Sequence, residues 1–92
     1  EEALCHEFDL RGIGYRRQVE IDVIYKGKVI KDQRLDILIE NEVIVEIKSL
    51  SKLNEVSMAQ VLSYLKATGL KRALIINFGA KMLREGIRRI SL

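Results

Sequence analysis

The stretch Arg34-Leu35-Asp36-Ile37-Leu38-Ile39-Glu40-Asn41-Glu42-Val43-Ile44-Val45-Glu46-Ile47-Lys48 constrains this chain more than any other, because it sets two carboxylates and a lysine into strands that otherwise read as buried. A carboxylate taken out of water costs several kcal/mol unless it is paired or binds a metal. Leu35, Ile37 and Ile39 alternate on the first strand, and Val43, Val45 and Ile47 on the second. A slip of one residue would throw one set onto the wrong face, so matching the sets pairs Ile39 with Val43 across a tight Glu40-Asn41-Glu42 connection. That register sets Asp36 opposite Glu46 on the other face, where cross-strand β-carbons sit roughly 5 Å apart. Lys48 follows on the same face. Two like charges so close repel, and a divalent cation between them reverses the sign.

The rest of the chain reads as an α/β fold. Ala3, Leu4 and Phe8 form a helical apolar stripe over residues 1–10, with Gly12 placed to stop it. From Tyr15 to Tyr25 the residues Val19, Ile21, Val23 and Tyr25 alternate with Gln18, Glu20 and Asp22, which predicts a strand with one polar face. Lys26-Gly27 predicts a tight turn, after which residues 28–30 return toward the hairpin. Asn54 is a good N-cap for a helix running to about Thr68, with Met58, Val61, Leu62 and Leu65 at helical spacing and Gly69 as its stop. Ala73-Leu74-Ile75-Ile76 reads as a strand buried on both faces. Residues 79–86 read as a turn with one helical turn at 81–84, and residues 86–92 as a final strand. The helix between the third and fourth strands permits a parallel crossover, so the sheet should be mixed and covered by helices.

Composition narrows the class. The 92 residues contain no proline and no Gly- or Ser-rich linker, so residues 1–92 are expected to form one domain. No apolar run approaches the roughly 20 residues that span a bilayer, and no signal peptide is evident, which points to a cytoplasmic protein. Cys5 cannot form an internal disulfide, and with His6 as the sole histidine it offers too few soft ligands for a structural zinc site. Cys5 therefore reads as a core residue and His6 as structural or exposed. The net charge of +3 leans toward an anionic partner, but the basic residues are dispersed and a solvated mixed-charge surface explains them equally well.

Asp36, followed ten residues later by Glu46-Ile47-Lys48, fits the D…E-x-K arrangement of the PD-(D/E)XK nuclease superfamily. Together with Leu10-Arg11-Gly12, Arg17-Gln18-Val19, Tyr25-Lys26-Gly27, the run from Ala59 to Leu65, Thr68-Gly69-Leu70 and Ile76-Asn77-Phe78, the chain resembles the GxxExxY protein family of that superfamily over nearly its whole length. The resemblance implies a restriction-endonuclease-like core of order α-β-β-β-α-β with an extra C-terminal strand. It implies that Asp36, Glu46 and the Ile47 carbonyl bind Mg²⁺ or Mn²⁺, since hard oxygen donors suit such ions. Lys48 would serve the attacking water and balance charge on the phosphate. Gln60 and Tyr64 share one helix face and are similar to the Q-x-x-x-Y element of the exonuclease-type branch, Gln60 aiming at the metal site and Tyr64 supporting it or touching a phosphate. Read without the resemblance, Lys48 is an exposed strand end, Gln60 a helix-surface residue and Tyr64 a core or rim aromatic, and Lys52 is a solvated loop lysine. The motif that names the family should lie just before Glu1. The chain would then lack the start of its first helix, and Glu1 and Glu2 are the nearest stand-ins for the motif's glutamate.

The resulting expectation is a Mg²⁺-dependent nuclease-like domain that binds DNA and hydrolyses phosphodiester bonds. The alternative is a catalytically incomplete module of the same fold acting in nucleic-acid binding or protein interaction, and a dimerisation domain is a third reading. So small a domain has little surface for base readout, which favours backbone or shape recognition through a homodimer.

Overall fold

The computed structural model describes the backbone of residues 1–92 and the side chains of all but residues 25, 83 and 84; the expected placement of Tyr25 on an apolar strand face lies outside the described side chains. The elements run α1 (Glu2–Arg11), β1 (Tyr15–Tyr25), β2 (Lys28–Ile39), β3 (Val43–Lys48), α2 (Glu55–Thr68), β4 (Arg72–Asn77), α3 (Leu83–Gly86) and β5 (Ile87–Ser91). The five strands form one sheet in the order β1-β2-β3-β4-β5. Neighbours are antiparallel except β3 and β4, which run parallel and are joined by the α2 crossover. This is the mixed α/β architecture expected from the sequence.

Local chemistry accounts for the elements. Asn54 caps α2 by accepting from the Ser57 amide at 2.9 Å, and Gly69 ends it in the left-handed conformation, where its amide bonds the Leu65 carbonyl at 2.9 Å. Lys26 and Gly27 both have positive φ, as a two-residue hairpin between paired Tyr25 and Lys28 requires. β2 is one continuous strand from Lys28 and carries a bulge. The register shifts by one residue between Ile21↔Gln33 and Val23↔Ile30, and Asp32 at φ 63° takes up the extra residue. The short helix lies at Leu83–Gly86, two residues later than expected.

Two apolar clusters fill the two faces of the sheet. On one, Val61, Tyr64 and Leu65 of α2 cover Val23, Leu35, Leu38, Ile44, Ala73, Ile75 and Ile90. On the other, Cys5 with Leu4 and Phe8 of α1 packs on Ile37, Val45, Ile39, Val43, Ile47, Leu74 and Ile76. Cys5 is buried, as expected of a core residue, and His6 is exposed.

The expected register holds, with Ile39 paired to Val43 and Ile37 to Val45. The expected alternation does not, because Leu35 belongs to the α2 cluster and not to the face of Ile37 and Ile39. β1 switches at the same level: Tyr15 packs with α1, whereas Val19 packs with α2. Between the pairs Arg17↔Ile37 and Val19↔Leu35 the Gln18/Asp36 pairing is missing, and Gln18 has φ 51°. Both strands therefore twist together at this one level while keeping register, and each changes which side its odd-numbered residues face.

Candidate active site

The twist falls where β2 and β3 part. Their backbone pairing covers Ile37↔Val45, Leu38↔Ile44 and Ile39↔Val43, and at the next level the two carboxylates take over. The Asp36 amide donates to Glu46 Oε1 at 3.2 Å, and the Ile47 amide donates to Asp36 Oδ2 at 2.8 Å. Each acid thus satisfies a backbone N–H on the opposite strand, which would otherwise be left unpaired as the ladder opens.

Glu46 is 3% exposed, and its carboxyl is pushed up from 4.5 to about 7. Burial is the largest cause, and repulsion from Asp36 adds to it. The hydrogen bond from the Asp36 amide and the charge of Lys48 oppose the shift without cancelling it. Lys48, at the end of β3, donates from Nζ to Gln60 Oε1 at 2.8 Å and thereby ties the strand to α2. Tyr64, one turn along α2 from Gln60, is 3% exposed and donates to Gln33 Oε1 at 3.4 Å. Burial raises its hydroxyl pKa first, followed by the nearby Glu46 and Asp36 charges.

Of the residues singled out in the sequence, Asp36, Glu46, Ile47, Lys48 and Gln60 come together here. Tyr64 sits beneath them, embedded in the α2 cluster. Glu1 takes up other partners: it accepts from Arg17 Nε at 2.8 Å and from Gln18 Nε2 at 3.3 Å. Among the described residues no group of three or more His, Cys, Asp or Glu side chains is arranged to hold a metal ion, so Glu1 and Glu2 do not complete a triad with the two acids. The donor set placed here is two adjacent carboxylates, hard oxygens whose mutual repulsion favours a cation. Lys52 is exposed in the loop before α2.

Sequence reasoning missed two polar residues. Gln33 receives the Tyr64 hydroxyl, a contact across 31 positions that no local pattern signals. Asn77 is 1% exposed at the end of β4, and its signal was present: one amide closing the apolar run Ala73 to Ile76.

The mixed sheet parts between β2 and β3 at the paired acids, with a lysine two residues further along β3, in an architecture consistent with a nuclease-like fold. Residues 1–90 match the family model of the PD-(D/E)XK nuclease superfamily, and the chain belongs to that superfamily. Its nucleases act on nucleic acid and generally use divalent metals. Neither a curated protein nor a solved structure matches the chain. Among the described residues no helix is long and apolar enough to cross a membrane.

Proposed function

We propose that residues 1–92 form one nuclease-like domain that binds DNA and hydrolyses phosphodiester bonds with Mg²⁺ or Mn²⁺. The observation that carries this reading is the pair Asp36 and Glu46, side by side with Glu46 buried and its carboxyl raised by burial and by repulsion from Asp36, and with Lys48 on the strand of Glu46. In this reading Asp36, Glu46 and the Ile47 carbonyl hold the cation, which supplies Lewis acidity toward the phosphate and lowers the pKa of bound water. Lys48 supplies positive charge where the phosphate accumulates negative charge. Gln60 accepts from Lys48 and so fixes where that charge points. Tyr64 buttresses Gln60 from the core side of α2. A cytoplasmic homodimer that recognises backbone or shape belongs to the same proposal, since so small a surface offers little base readout.

Cleavage of plasmid, linear, branched and single-stranded DNA in the presence of Mg²⁺ or Mn²⁺ tests it. Wild type should cleave at least one substrate, and Asp36→Asn should cleave none; a wild type that binds DNA but leaves every substrate intact with either metal rejects the catalytic reading. The second reading, a binding module without catalysis, draws on a specific observation: no third acidic side chain joins Asp36 and Glu46 among the described residues, and Glu1 is engaged by Arg17.

A further inference from the structure

The chain leaving β3 must turn sharply after Lys48 to reach α2, and one side chain of β4 holds that turn. Asn77 pairs with Leu50 in both directions: its Oδ1 accepts from the Leu50 amide at 2.8 Å, and its Nδ2 donates to the Leu50 carbonyl at 2.9 Å. The same Oδ1 accepts from the Gly79 amide at 3.1 Å. These bonds extend the β3/β4 pairing past its last pair, Lys48↔Asn77, by one side chain acting as a backbone would. The Phe78 amide, donating to the Lys48 carbonyl at 2.9 Å, closes the same corner.

Backbone packs closely around this corner. A β-carbon at Gly79 would run into the Leu50 backbone, and one at Gly86 into the Asn77 carbonyl, so both positions exclude side chains. Asn77 is 1% exposed, so its three bonds are made out of water, where leaving a partner unpaired costs most. The Asn77 amide accepts through Oδ1 and donates through Nδ2, two separate atoms, which is what bidentate pairing with a single residue demands.

We propose that Asn77 is a positioning residue for Lys48. By clasping Leu50 it fixes the exit of β3, and with it the direction from which the Lys48 ammonium reaches Gln60. The part of this that concerns catalysis rests on the nuclease reading above; the part that concerns Lys48 geometry does not.

The test compares Asn77→Ala and Asn77→Ser with Gln60→Ala and with a core control, Ile75→Val, following the Lys48 side-chain amine by NMR and Leu50 amide exchange. Asn77→Ser keeps a hydroxyl for one of the freed backbone groups and buries no charge, so it remains informative if Asn77→Ala does not fold. The expected result is a Lys48 signal displaced toward that of Gln60→Ala, with Leu50 exchange faster by about a hundredfold, while Ile75→Val leaves both unchanged. On a cleaving wild type, kcat should fall by about tenfold or more with KM within about twofold, as for a displaced catalytic group. A Lys48 signal unmoved in the folded Asn77 variants overturns the proposal, whether or not the wild type cleaves. A moved signal with unchanged kcat overturns its catalytic part. A wild type that never cleaves rejects the nuclease reading, and the NMR comparison alone then decides whether Asn77 positions Lys48.

Discussion

Glu46 carries a pH dependence whose sign follows from its environment. Its folded carboxyl titrates at about 7 against an ordinary 4.5, so between those values the folded state holds a proton that the unfolded state has lost. Its contribution to stability is therefore full below pH 4.5, declines as pH rises, and is lost above about 7. The span corresponds to about 3 kcal/mol as an order of magnitude. Glu46→Gln removes the ionisable group and keeps an acceptor for the Asp36 amide. It should stabilise the metal-free protein at pH 8 by up to that amount and leave it unchanged at pH 4. Denaturant melts at the two pH values check this, and equal effects at both would reject it. Lys48→Ala is expected to behave differently, leaving metal binding intact while cleavage falls by about a hundredfold or more, because both acids remain and only the positive charge goes. Retained cleavage in Lys48→Ala would remove that lysine from the mechanism.

At the scale of elements, the sequence was most legible where local rules act alone. Asn54 and Gly69 bound α2 as the capping pattern requires, and Asn54→Ala should cost about 1 kcal/mol in a melt without altering the site, since it removes only the bond to the Ser57 amide. The Ile39↔Val43 register was legible from apolar alternation on both strands. Leu35 was not, because alternation assumes an unbroken period of two and the joint twist at Gln18 and Asp36 breaks it. At the same level the two acids occupy backbone amides across β2 and β3, so that ladder stops there as well. The Asp32 bulge and the Asn77 clasp were equally hidden, one because it depends on how two long strands reconcile their lengths, the other because its partner lies 27 positions away. Within the candidate site, the acids and Lys48 followed from register, whereas the Lys48–Gln60 contact needed the fold to bring strand and helix together.

The single five-stranded sheet has a short seam between β2 and β3 that divides it into two pieces. β1 and β2 form a long ribbon, β3, β4 and β5 form the remainder, and the seam between them consists of the three residue pairs Ile37↔Val45, Leu38↔Ile44 and Ile39↔Val43. Asp36 and Glu46 stand on opposite sides of that seam at its open end. A divalent ion held by both acids would stitch the two pieces together, so its binding should appear as global stability and not only as local order. For binding to the native state alone the gain is about 2.7 kcal/mol at a hundredfold excess over Kd, or roughly 10–20 °C in Tm for a domain of this size. Glu46 must lose its proton to bind the ion, so the gain should be larger at pH 8 than at pH 6, on the two sides of its titration near 7. Thermal melts with Mn²⁺ or Mg²⁺ at both pH values, reversed by a chelator, measure this directly. Asp36→Asn should lose the response, because one side of the seam then presents a neutral amide. A rise in Tm of equal size in wild type and Asp36→Asn would mean that the ion binds elsewhere, and no rise in wild type at millimolar metal would mean that two acids are too few to hold it.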